Sequence, residues 1–185
     1  MRKCFYLPIL LVFPVFNASA QLAKGNWLIG GNASFSSAKY INTVAASYSQ
    51  IDIRISPMIG YFIIDKLPVG IRPGFSYTKT TLGTDYVGTR TFNMGPFVRY
   101  YFLPLESRVN LLSEVSYQRQ ISKLKDNPVV SRNGLSVLAG PVLYFNTSVA
   151  MEFTVGYSIG KFVGDAGSRN RTIQAGIGVQ VYLEK

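Results

Sequence analysis

Residues 50–63 alternate with a strict period of two. Ile51, Ile53, Ile55, Pro57, Ile59, Tyr61 and Ile63 share one face, and Gln50, Asp52, Arg54, Ser56, Met58, Gly60 and Phe62 share the other. A helix advances about 100° per residue and would scatter those isoleucines around its circumference. A strand sends successive side chains to opposite faces, so this stretch is a strand with one apolar face and one face that carries charge. Residues 94–118 show how such strands connect: two of them flank a short turn over 103–108. In the first, Met94, Pro96, Val98, Tyr100 and Phe102 oppose Gly95, Phe97, Arg99 and Tyr101; in the second, Val109, Leu111, Val115 and Tyr117 oppose Asn110, Glu114, Ser116 and Gln118.

The same alternation marks eight strands. Strand 26–37 sets Trp27, Ile29, Ala33 and Phe35 against Asn32, Ser34 and Ser36. Strand 69–78 sets Val69, Ile71, Phe75 and Tyr77 against Arg72. Strand 134–145 turns tightly through 146–148 into a strand with Val149, Met151, Phe153, Val155, Tyr157 and Ile159 on one face and Glu152 and Thr154 on the other. The last, 172–183, sets Ile173, Ala175, Ile177, Val179 and Val181 against Gln174, Gly176, Gly178 and Gln180. Long polar segments (38–49, 79–90, 121–133 and 160–171) alternate with short turns (64–68, 103–108 and 146–148). A weak repeat, Ser56-Pro57 through Phe62, Gly95-Pro96 through Tyr101 and Gly140-Pro141 through Phe145, puts aromatic residues just before each short turn.

Composition says where such a sheet can live. Apolar residues make up 48% of the 185, charged residues only 15%, and mean hydropathy is +0.18. No apolar run reaches the roughly 18 residues of a helical span. The apolar content is dispersed by alternation, as in a barrel wall between lipid and a polar interior. The expected fold is an all-β, eight-stranded antiparallel transmembrane up-and-down barrel. Its long loops would lie outside the cell and its turns and termini in the periplasm. Tyr61, Tyr100, Phe102 and Phe145 would form an aromatic girdle at the periplasmic interface. Pro57, Pro73, Pro96 and Pro141 fall inside strands, and a closed barrel has no free edge to excuse a missing N–H, so bulges are expected there. Ser113 on the apolar face, and Leu112 and Leu138 on the polar one, break the pattern.

The N-terminus reads as a targeting segment. Arg2 and Lys3 precede an apolar run, and Ala18-Ser19-Ala20 is a small-residue cleavage pattern. Residues 1–20 are thus expected to be a signal peptide and 21–185 the barrel domain. Cys4, the one cysteine, would leave with the signal. The 19 basic residues less Arg2 and Lys3 leave 17 against 9 acidic, a mature charge of +8.

This layout resembles the small outer-membrane β-barrel domain family of Gram-negative bacteria, the OmpX-like and OmpA-like eight-stranded barrels. The resemblance is carried by Ala18-Ser19-Ala20-Gln21, Lys24-Gly25-Asn26-Trp27 and the Gly95-to-Phe102 segment, and it extends over the mature chain. It implies outer-membrane lipid as surroundings, the barrel-assembly machinery as the partner for insertion, and a monomer. Leu183-Glu184-Lys185 departs from the family's usual terminal aromatic, leaving Tyr182 as the nearest substitute.

Two constellations could carry function. Asp52, Arg54, Arg72, Arg99, Glu114 and Glu152 point inward. Buried charges require pairing, and Arg99 with Glu114, on neighbouring strands, is the expected direct pair. Such a network could gate ions or plug a lumen just wide enough for side chains. The second is a basic rim: Lys39, Lys79, Arg90, Arg119, Lys123, Lys125, Arg132, Lys161, Arg169 and Arg171, with only Asp85, Asp126 and Asp165 nearby, a net of +7. It could hold lipopolysaccharide phosphates, serve adhesion, or be plain solvated loop charge. No nucleic-acid motif accompanies it. With no histidine in the chain and no cysteine after cleavage, histidine-dependent acyl transfer and thiol chemistry are excluded. No metal-ligand spacing appears, and no cofactor is expected. The readings left are a structural or surface-interacting envelope barrel, a narrow pore, and a soluble lipocalin-like barrel with its apolar face inside.

Overall fold

The computed structural model describes residues 22–40, 47–104, 107–124, 129–163 and 169–184. The expected signal peptide, the mature N-terminus Gln21, and Lys125, Asp126 and Asp165 of the expected rim lie outside the described residues. Eight strands follow one another around a closed barrel: β1 (Trp27–Tyr40), β2 (Tyr48–Ile64), β3 (Leu67–Leu82), β4 (Asp85–Tyr101), β5 (Val109–Leu124), β6 (Val130–Tyr144), β7 (Val149–Phe162) and β8 (Arg169–Leu183). Each is antiparallel to its neighbours, and β1 closes on β8.

The two-residue period decides which side chains face in. Ile53, Ile55, Ile59, Val115, Phe153 and Val155 stand exposed on the outer wall, while Met58, Phe62, Phe97, Arg99, Leu112 and Glu114 are buried within. Leu112 and Leu138 lie inside and Ser113 outside, as the exceptions to the pattern required. The four aromatics expected as a girdle lie outward at the short-turn end, joined by Trp27, whose ring meets that of Tyr61 at 5.1 Å. A lipocalin-like barrel would have the opposite polarity.

The expected long loops are a correction. β3 and β4 run to Leu82 and from Asp85, leaving a two-residue turn where residues 79–90 read as loop. Gly83 has φ +62 and Thr84 does not, the pattern of a type II′ hairpin. The other three segments shrink in the same way, because β5, β6, β7, β8 and the β1–β2 pair all extend into them. Polarity suggested loop; the residues themselves, such as Thr80, Thr81, Tyr86, Val87 and Thr89, are good strand formers. These stretches are strands whose surfaces turn polar.

The prolines bring a second correction, because no bulge accommodates them. Pro57 and Pro73 face each other in the one gap of the β2–β3 ladder, between Ile55↔Phe75 and Ile59↔Ile71. Pro96 sits in the gap between Met94↔Arg119 and Phe97↔Ser116, and Pro141 in that between Ala139↔Val155 and Val142↔Glu152. Pairing sums are equal on both sides of each gap, so register is kept and only the bonds a proline cannot make are missing. The single register shift lies elsewhere, between Phe62 and Ile64. Beside two of these prolines a glycine lets the backbones close up. A Cβ on Gly95 would land on the Tyr117 carbonyl oxygen, and one on Gly140 on that of Phe153.

Gly95→Ala and Gly140→Ala are each expected to lower stability by about 1–3 kcal/mol, the cost of overpacking. Gly134→Ala, whose Cβ would meet nothing nearer than 3.6 Å, serves as the tolerated control. Urea unfolding of the refolded barrel in micelles measures all three.

Candidate functional site

The lumen is filled in layers. Its base, at the short-turn end, holds Phe62, Tyr101, Tyr144 and Tyr182, with ring centroids 5.6–6.5 Å apart along the contacts Phe62–Tyr101, Phe62–Tyr182, Tyr101–Tyr182 and Tyr144–Tyr182. The Tyr101 and Tyr182 hydroxyls share a 3.0 Å hydrogen bond. Residues 22–26 seal this end. Leu22 is buried against the base, Lys66 N–H donates to the Leu22 carbonyl, and Phe62 N–H donates to that of Asn26. Leu22, Phe62, Tyr101 and Tyr182 are at most 1% exposed, so side chains close the base.

Above it lies the charge layer. Arg99, fully buried, donates from Nε and Nη2 to Glu114 Oε2 at 2.9 and 2.8 Å, and from Nη1 to Glu152 Oε2 at 2.7 Å. A third donor reaches Glu114 Oε2 from Arg72 Nη2, also at 2.7 Å. Arg99 Nη1 also donates to the Tyr101 hydroxyl, which ties this layer to the base. The Arg99–Glu114 pair expected from sequence is a direct cross-strand pair of β4 and β5. Glu152 comes from β7, across the lumen. Two arginines and two glutamates thus make a neutral cluster in which one planar fork bridges two carboxylates.

Asp52 and Arg54, grouped with these four in the sequence reading, stand apart. Asp52 accepts a 2.6 Å hydrogen bond from the Thr78 hydroxyl, and Arg54 reaches it only at 3.8 Å. Arg54 belongs to a third layer, a polar cup of about 960 Å³ floored by Arg72 and Glu152. Its wall carries Asn32, Ser34, Arg54, Ser56, Ser76, Asn93, Gln118, Gln120, Arg132, Ser136, Thr154 and Gln174.

The expected rim residues lie on strands rather than in loops. Lys39, Lys79, Arg90, Arg119, Lys123, Lys161, Arg169 and Arg171 have the outward parity of their strands, so they form a basic belt on the outer wall of the end away from the short turns. Arg132 alone among the nine described points inward, its guanidinium 4.2 Å from the Phe162 ring centroid. Two pairs of like charge stand directly opposite each other in the ladder, Arg90↔Lys123 and Lys161↔Arg169. Among the described residues, no group of three or more His, Cys, Asp or Glu is placed to hold a metal ion.

Sequence reasoning missed the tyrosine base and the tail that seals it. The inward parity of Phe62, Tyr101 and Tyr182 was a usable signal. Nothing in the alternation marks Leu22, which precedes the first strand.

Arg99→Met is expected to cost about 3–5 kcal/mol, because it leaves two buried carboxylates with one remaining arginine. The double replacement Arg99→Met, Glu152→Gln leaves Arg72 paired with Glu114 and the layer neutral, and should recover part of that loss. The urea midpoints of the two variants measure this.

No protein-family model matches the sequence, and no curated protein matches it. Among solved structures, the chain is similar to Neisserial surface protein A (NspA), at 17% identity and a TM-score of 0.49 over 88% of this chain and 98% of that one. It is also similar to the N-terminal β-barrel domain of Pseudomonas aeruginosa OprF, at 14% identity and a TM-score of 0.44 over 86% of this chain and 98% of that one.

Proposed function

We propose that this chain is an integral outer-membrane barrel without enzymatic activity, serving envelope structure and surface interaction. The observation that carries this reading is the inverted polarity of the barrel. Aliphatic and aromatic side chains stand exposed around the outer wall while Arg99, Glu114 and Glu152 are buried within. In water such a wall would be a very large exposed apolar patch; in a bilayer it is the lipid-facing surface, and a closed ladder satisfies the backbone there. The short-turn end with its aromatic girdle then lies in the periplasm, and the basic belt lies at the outer leaflet.

The belt supports a surface role. Like charges directly opposite on neighbouring strands destabilise a sheet. Arg90↔Lys123 and Lys161↔Arg169 are tolerable if an anion sits between them. Lipopolysaccharide phosphates are the anions of that leaflet, and charge-assisted bonds to arginine and lysine would hold them. Adhesion to an anionic surface would use the same belt. A narrow pore would need a path through the base, which Leu22, Phe62, Tyr101 and Tyr182 fill. Insertion through the barrel-assembly machinery and a monomeric state accompany this reading.

Three outcomes test it. The membrane-fraction protein should migrate on gels as a compact band that shifts on boiling. In planar bilayers the wild type should give no large, stable open-channel current; such currents would establish the pore instead. Arg90→Gln with Lys123→Gln should weaken lipopolysaccharide binding severalfold while leaving stability in neutral detergent unchanged or raised by about 0.2–1 kcal/mol, since the repulsion is relieved. Undiminished binding by that variant would remove the belt from the function.

A further inference from the structure

Seven seams of the barrel are paired along their length or interrupted only beside a proline. The eighth, between β1 and β8, is different. Its pairs run from Trp27↔Leu183 to Gly31↔Val179 and stop, although β1 continues to Tyr40 and β8 begins at Arg169. At the same register the ladder would hold nine more pairs, from Asn32 opposite Gly178 to Tyr40 opposite Asn170. Neither stretch contains a proline. The parting begins at Gly31, whose φ of +149° suits only glycine and whose Cβ would strike the Ser56 carbonyl oxygen. Beyond it β1 follows β2 as far as Tyr40↔Tyr48, and β8 stays with β7 as far as Lys161↔Arg169.

The gap joins the cup to the outer wall. Both lips line the cavity, through Asn32, Ala33 and Ser34 on β1 and Gln174, Ala175, Gly176 and Ile177 on β8. Phe35 and Ile173, on the two lips, are the most exposed large apolar residues described, at 68% and 80%. Inside, the charged residues lining the cup are Arg54, Arg72, Arg132 and Glu152, and Glu152 is already bonded to Arg99. Arg72 Nε and Gln118 Nε2 are buried donors without a protein partner. A side opening with apolar lips thus leads from the wall to an electropositive cup with donors to spare.

We propose that the cup binds the phosphate-bearing headgroup of a membrane amphiphile, which enters sideways between β1 and β8. The phosphate meets Arg54, Arg72 and Arg132, and the acyl chain stays outside against Phe35 and Ile173. This rests on the membrane placement above, and boiling-dependent gel migration of the same preparations reads that placement separately.

Native mass spectrometry from a neutral detergent tests the proposal with three probes: 1-palmitoyl lysophosphatidic acid, lysophosphatidylcholine (whose phosphate is capped by choline) and inorganic phosphate. One lysophosphatidic acid should bind per chain, at least about tenfold tighter than either other probe, the worth of one or two charge-assisted bonds. Arg54→Gln with Arg132→Gln should lose at least about tenfold for that lipid. Ala33→Trp with Ala175→Trp, which fills the opening, should lose lipid binding while its response to inorganic phosphate stays. The proposal is overturned by equal binding of lysophosphatidylcholine, by inorganic phosphate binding as tightly as the lipid, or by wild-type lipid affinity in either double variant. It is equally overturned by a dimer that excludes lipid, since a second copy would then occupy the open edges.

Discussion

Arg99 is the interaction on which the rest of this barrel depends. An eight-stranded barrel leaves room inside for little more than side chains. A charge placed there must find its partners across the lumen or leave the lumen altogether. Arg99 finds them on β5 and β7, Arg72 adds β3, and the thioether of Met58 accepts from both arginines and from Gln180. Six strands thus converge on one neutral cluster. Such a cluster is weak evidence for stability against an apolar alternative, but it fixes which face of those six strands is inside. The outer face is then apolar by default, and the membrane reading follows from that polarity.

Below this cluster the molecule is closed and above it open. The base joins the charge layer through Tyr101, which accepts from Arg99 and bonds to Tyr182. Residues 22–26 complete the seal by main-chain hydrogen bonds to Phe62 and Lys66. The three proline gaps lie on the β2–β3, β4–β5 and β6–β7 seams, so the repeat is an architectural one. A gap that keeps register weakens a seam locally without turning side chains to the wrong face. At β1–β8 the ladder stops at Gly31 instead, although both strands continue beyond it.

Much of this was readable in the sequence because alternation is a local signal. The isoleucines of residues 50–63 placed one face outward, and Arg99 and Glu114 announced the other. Strand ends were harder to read. Polar residues such as Lys79, Thr80 and Lys123 look like loop when scored by polarity, yet they extend strands whose surroundings change from apolar to polar. Grouping Asp52 and Arg54 with Arg99 went too far, since inward parity carries no information about height along the barrel axis. The seal by Leu22, the parting at Gly31 and the glycine-assisted proline gaps depend on register between distant strands, which one sequence does not display.

The account stands on Val155 touching hydrocarbon while Thr154, its neighbour in sequence, faces the aqueous cup. Single cysteines at these two positions, spin-labelled in the barrel reconstituted into vesicles, report this directly. The account predicts that oxygen dissolved in the lipid relaxes the label at 155 more strongly than a water-soluble nickel chelate does, with the reverse order at 154. The opposite pair of accessibilities, or equal access of the chelate to both labels, would contradict it.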